Sequence, residues 1–130
     1  VSIVLDTWAV LGYLQDEEPA ASLVERVLDE RPVMSWINLG EVYYILIRRH
    51  GESAAEETVR DLRSVLNVEL PREHVVQRAA QIKAGYSMSY ADAFAAATAL
   101  GHHAELWTGD PELLVPNAPW LAMDLRATQR

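Results

Sequence analysis

Four carboxylates in this chain stand where ordinary surface chemistry does not put them. Asp6 ends the apolar run "VSIVLD", and Glu41 lies inside the most apolar helical stretch, between Leu39, Val42 and Ile45. Asp92 falls in the first turn of an alanine-rich segment, and Asp110 follows "AELWTG" and precedes a proline. Singly, three of them have a plain use. Asp6 and Asp110 suit the cap of the turn or helix that follows, and Asp92 complements a helix N-terminus. Glu41 resists that reading, because a lone buried Glu is either costly or neutral. Together they point elsewhere. Carboxylates brought within ~5 Å repel by about 3 kcal/mol per pair at an effective dielectric near 20. Such a cluster needs a cation, and oxygen ligands without His or Cys suit Mg2+ or Mn2+. The chemistry this supports is phosphodiester hydrolysis: the metal acidifies a bound water, orients it in line with phosphorus and neutralises the leaving oxygen.

The elements that would gather these groups are legible in the patterning. Ser2–Asp6 reads as a β-rich run, and Thr7 can cap a helix through Leu14. After the polar turn "QDEE", Pro19 suits a first helical position. Ala20, Leu23, Val24, Val27 and Leu28 then follow with helical period. "RPVMS" is a short strand, and Ser35 can cap the helix Trp36–His50, which Gly51 closes. That helix is apolar nearly all round, so it is expected to be covered on more than one side, and the second cover could be a partner. Glu52–Leu66 is amphipathic, "NVEL" is a brief strand, and Pro71 opens a helix carrying Val75, Val76, Ala79 and Ile82. Ser89 can cap a helix running to Gly101. "AELWT" is a strand, "GDPELL" a turn with a short helix, and "WLAMDL" a last strand. Strands alternating with helices indicate an α/β fold with a parallel sheet covered on both faces. Sites in such sheets form beyond the carboxyl ends of the strands, where Asp6 and Asp110 fall.

Bulk properties narrow the classes. The chain has 130 residues, half of them apolar, enough for one domain over 1–130 with a real core. No apolar run reaches the ~20 residues of a membrane span, the start lacks a secretory pattern, and a cytoplasmic location is expected. With no cysteine, disulfides, thiolate metal sites and a Cys nucleophile are excluded. A net charge of -8 argues against a protein that grips nucleic acid by a broad basic face. It allows one that touches a few nucleotides through metal ions.

With those residues in place, the sequence resembles a PIN domain, and within that family a VapC-type toxin ribonuclease. "IVLDTWAVLGYLQDEEPA" is similar to the family's opening strand, first acid and following helix. "MSWINLGEVYYIL" resembles the segment with the second acid, "IKAGYSMSYADAFAAATAL" the third and "LWTGDPELL" the fourth. The resemblance covers essentially the whole chain. It implies a three-layer fold with a five-stranded parallel sheet in order 3-2-1-4-5. It also implies Mg2+- or Mn2+-dependent endoribonuclease activity, a homodimer, and neutralisation by a VapB-type antitoxin. Carried over, the catalytic and metal-binding acids are Asp6, Glu41, Asp92 and Asp110, with Thr108 a supporting hydroxyl. Glu112 falls where some members carry a further acid. Trp8 departs from the pattern, standing where a small polar residue is common, so the pocket is narrower or the ring stacks on a base. Asn38, one helical turn before Glu41, either orients it or serves the first turn of its helix.

Other residues carry weaker signals. Arg48, Arg49 and His50 could meet RNA phosphates, but cations at a helix C-terminus explain them as well. Trp107 and Trp120 belong to strands and to the core, while Tyr13, Tyr43 and Tyr44 suit either core or a partner surface. Two alternatives stand beside the nuclease. A catalytically silent PIN-like module would work only by binding proteins. A phosphatase with a nucleophilic Asp6 would want a second Asp where Trp8 stands.

Overall fold

The computed structural model describes residues 2–126; the ends of the 1–130 span, Val1 and residues 127–130, lie outside them. Five short parallel strands form one sheet: β1 (Ile3–Leu5), β2 (Val33–Ser35), β3 (Asn67–Glu69), β4 (Glu105–Thr108) and β5 (Leu121–Asp124). Their order is β3-β2-β1-β4-β5, with Val4 paired to both Val33 and Leu106. Successive strand residues point to opposite faces, and each central strand serves two cores. Val4, Val33 and Leu106 join one apolar cluster, and Leu5, Met34 and Trp107 join the other.

Four helices cover the second cluster: α1 (Thr7–Leu14), α2 (Ala20–Val27), α3 (Trp36–His50) and α4 (Glu52–Val65). The first cluster is covered by α5 (Glu73–Gly85) and α6 (Tyr90–Gly101). Every residue of α6 from Asp92 to Ala99 is buried. Its run of alanines lets the sheet and α5 approach closely, which larger side chains would prevent. Among the described residues, no helix is long and apolar enough to cross a membrane.

The chain runs from β1 through α1 and α2 to β2 on one side, and from β3 through α5 and α6 to β4 on the other. The winding therefore reverses between β1 and β4, and a crevice opens beyond their carboxyl ends. Asp6 and Thr108 stand at that point.

Local readings hold with instructive departures. Asp6, not Thr7, caps α1: its carboxylate accepts from the Ala9 amide at 2.8 Å, and Thr7 is the first helical residue. Ser35 and Ser89 cap α3 and α6 as expected, accepting from Ile37 and Asp92 amides. Pro71 lies outside α5, which starts at Glu73 after the extended Arg72. A 3-10 turn, Leu28–Glu30, follows α2, and residues 111–113 form turns where a short helix was expected. The terminal strands are shorter than drawn, Ile3–Leu5 and Leu121–Asp124, because pairing ends where the chain turns into the site or the surface. Trp107 and Trp120 are core residues, and the Trp120 ring nitrogen donates to the Leu113 carbonyl at 3.0 Å.

The α3 helix is not enclosed. Ile37 and Tyr44 are exposed, with Gly40 between them, and Tyr90 of α6 is exposed as well. Arg48 stacks over the Tyr44 ring at 4.9 Å.

Candidate metal centre

Asp6 is brought to the crevice by β1 and is only 1% exposed. One carboxylate oxygen caps α1 through Ala9, and the other accepts a short hydrogen bond from the Thr108 hydroxyl. Thr108 is fully buried, and its oxygen in turn accepts from the Asp110 amide at 3.0 Å. One hydroxyl thus pins the first acid to the turn that carries the fourth. Asp110 also shapes its own turn, accepting from the Glu112 amide at 3.0 Å.

Asp92 comes from the first turn of α6, where Ser89 holds its amide at 3.1 Å. Carboxylate oxygens of Asp92, Asp110 and Glu112 all lie within 4.8 Å of one another. Among the described residues, this is the one such group of His, Cys, Asp or Glu. Asp92 is buried, Asp110 half-buried and Glu112 exposed, so the trio grades from the core to solvent.

Asp6 and Glu41 stand outside that trio, Asp6 feeling the charges of Asp110 and Glu41. Burial raises the Asp6 carboxyl to about 7, against the lowering effect of Thr108 and Ala9, with the charges of Asp110 and Glu41 adding to the rise. Burial also raises Asp92 to about 7, followed by the charge of Asp110 and the hydrogen-bonding contact the two share. Ser89 opposes that rise, and the Asp6 charge adds to it. Both carboxylates resist ionisation first because they are buried and then because neighbouring acids repel the charge. Glu41 is half-buried on α3, near the exposed Gly40 and Tyr44, so the reading of it as a buried Glu is corrected.

The donor set is all carboxylate oxygen, with a Thr hydroxyl behind it. That chemistry fits a hard divalent cation such as Mg2+ or Mn2+ and fits poorly with softer metals. Glu112, a lesser candidate in the sequence, is placed with Asp92 and Asp110. The residue that sequence reasoning missed is Gly109. A Cβ there would lie 2.4 Å from two Trp8 ring atoms and 2.5 Å from a third. The Trp8 indole therefore rests on the backbone between Thr108 and Asp110. Nothing in a lone glycine between Thr and Asp signals this; the bulk at position 8 is the partner clue.

The family model described as PIN domain matches residues 3–116. No curated protein matches the sequence. Solved structures do, across nearly their whole lengths. DNA-bound VapBC from Salmonella typhimurium is 17% identical, with a TM-score of 0.79, covering 97% of this chain and 99% of that one. A toxin-antitoxin complex from Klebsiella pneumoniae is 20% identical, with a TM-score of 0.77 and coverages of 98% and 100%. VapC20 of Mycobacterium tuberculosis, described as a sarcin-ricin loop cleaving toxin, is 21% identical, with a TM-score of 0.69 and coverages of 86% and 92%.

Proposed function

The chain belongs to the PIN domain family, and on that premise we propose that it is a metal-dependent endoribonuclease, the toxin of a type II toxin-antitoxin pair. The observation that carries this is the gathering of Asp92, Asp110 and Glu112 at the switch point, with Asp6 buried beside them. Asp6, Glu41, Asp92 and Asp110 would hold Mg2+ or Mn2+, and Glu112 adds a solvent-side oxygen. When bound, the cation acidifies a water and offsets charge on the leaving oxygen.

The chain's own residues prepare that chemistry. Thr108 fixes one Asp6 oxygen and leaves the carboxylate little freedom to turn away. Asp110 raises the Asp92 carboxyl through its charge and a hydrogen-bonding contact, and a bound cation would oppose that rise. Glu112, on the exposed lip, is placed to meet a water entering from solvent.

The exposed apolar side chains Ile37 and Tyr44 of α3 and Tyr90 of α6 support the partner part of the reading. We assign them to association with a second copy or with a VapB-type antitoxin, in a cytoplasmic setting. VapBC complexes among the structural neighbours are the precedent. The test is incubation of the purified protein with defined RNAs, with Mn2+ and with EDTA, beside Asp92→Asn. Cleavage that needs Mn2+ and is lost in the variant is expected. If Asp6→Ala and Asp92→Ala keep full growth inhibition while binding no metal, the silent module replaces the nuclease.

A further inference from the structure

Asn38 is 1% exposed, yet it is not spent on its own helix. Its side-chain amide donates to the Ala91 carbonyl at 3.0 Å and to the Thr7 hydroxyl at 3.4 Å. The Thr7 hydroxyl returns a bond to the Asn38 carbonyl at 3.3 Å. Thr7 follows Asp6, Ala91 precedes Asp92, and Glu41 lies one turn further along the same helix. One side chain thus joins the three elements that carry three of the acids.

The carboxamide oxygen is different. Asn38 Oδ1 is buried and has no partner among the described residues. Turning the amide over would not relieve it, because that oxygen would then meet the Ala91 carbonyl lone pair to lone pair. An orphaned buried acceptor works against folding, and an apolar residue of equal shape would avoid it. Retaining it makes sense if the amide serves the site.

We propose that Asn38 is the positioning residue of the acid cluster, setting the spacing of Asp6, Glu41 and Asp92 for the cation at a cost in fold stability. This rests on the metal-dependent reading above. Residues that orient metal ligands from behind typically change affinity by about 10–100-fold when removed.

The test is Asn38→Leu, which keeps the branched heavy-atom shape and deletes both the donor and the orphan acceptor. Mn2+ affinity is measured by titration calorimetry on wild type and variant, and melting temperature in EDTA. The expected result is an Mn2+ Kd weakened about tenfold or more, with an unchanged or higher melting temperature without metal. A variant that melts lower but binds Mn2+ as wild type does would make Asn38 a structural residue and overturn the proposal. Should Asn38→Leu not fold, Thr7→Val decides: it removes the hydroxyl on which the amide rests, and it must weaken Mn2+ binding in a folded protein, or the proposal fails. Wild-type protein that binds no Mn2+ would sink the nuclease reading itself, an outcome distinct from equal affinity in wild type and variant.

Discussion

Gly109→Ala should damage this protein through a single contact. The added methyl would sit 2.4 Å from two carbons of the Trp8 benzo ring and 2.5 Å from another. Carbon atoms prefer a separation of about 3.5–4.0 Å, so more than ~1 Å of displacement is required. The atoms in the way belong to a rigid indole, not the end of a flexible chain. The ring also lies near Gly12, where a Cβ would be 3.8 Å from it. Gly109 is not among the positive-φ residues, so the backbone itself tolerates alanine and the whole penalty is steric. Overpacking of this kind costs about 1–3 kcal/mol. Urea unfolding of wild type, Gly109→Ala, Trp8→Ala and the double variant forms a cycle. With the indole gone, Gly109→Ala should cost less than about 0.5 kcal/mol, leaving a coupling of about 1–3 kcal/mol. Mn2+ affinity should fall in Gly109→Ala as well, because the displaced turn carries Thr108 and Asp110. Equal costs of Gly109→Ala with and without the indole would refute the clamp.

Four further outcomes follow from the site. Asp6 and Asp92 are raised to about 7 from 3.8, so the folded protein holds protons there that the unfolded chain has released between about pH 4 and 7. Their contribution to apo stability must therefore fall as pH rises through that window and level off above it. Mn2+ needs the ionised acids, so the Mn2+-induced rise in melting temperature should be larger at pH 8 than at pH 5.5; equal rises would contradict this. Thr108→Val removes the donor to Asp6 and the acceptor for the Asp110 amide; it should cost about 1–3 kcal/mol in urea at pH 8 and weaken Mn2+ binding. Glu112→Gln should leave unfolding unchanged, since the side chain is exposed, while lowering Mn2+ affinity measurably by calorimetry. Tyr44→Glu should reduce self-association in sedimentation without altering circular dichroism, as Tyr44 is 46% exposed.

Legibility in the sequence tracked the range of the forces involved. Helix α3, with Ser35 before it and Gly51 after it, is written in local signals, and its bounds matched. So is α6, capped by Ser89. The strand order followed from family resemblance, because three-residue strands such as β3 leave almost no periodicity to read. The short helix expected in "GDPELL" is only two successive turns, closed by the Leu113 amide on the Asp110 carbonyl at 2.9 Å and the Leu114 amide on the Pro111 carbonyl at 3.2 Å. Contacts between distant segments were invisible: Trp8 against Gly109, and Asn38 against Thr7 and Ala91. Each joins positions more than 30 residues apart that no local pattern relates.

Asp6 shows why capping and metal binding are not rival explanations of one carboxylate. As a cap, it gives an oxygen to Ala9 and sits at the positive end of α1. That should lower its pKa, yet burial and the neighbouring acids outweigh both the cap and Thr108, and the carboxyl rises to about 7. A residue needed only for the cap could be Ser or Thr, which satisfy the same amide without a charge to bury. Aspartate at that position buries a charge that Ser or Thr would not, and a cation ligand needs that charge. Asp6→Ser therefore separates the two roles. It should keep α1 and the fold, and it should relieve the raised carboxyl of Asp92, to which Asp6 contributes. It should also abolish Mn2+ binding and RNA cleavage together. A serine variant that still binds Mn2+ as tightly as wild type would reduce Asp6 to a cap and move the centre out to Asp92, Asp110 and Glu112 alone.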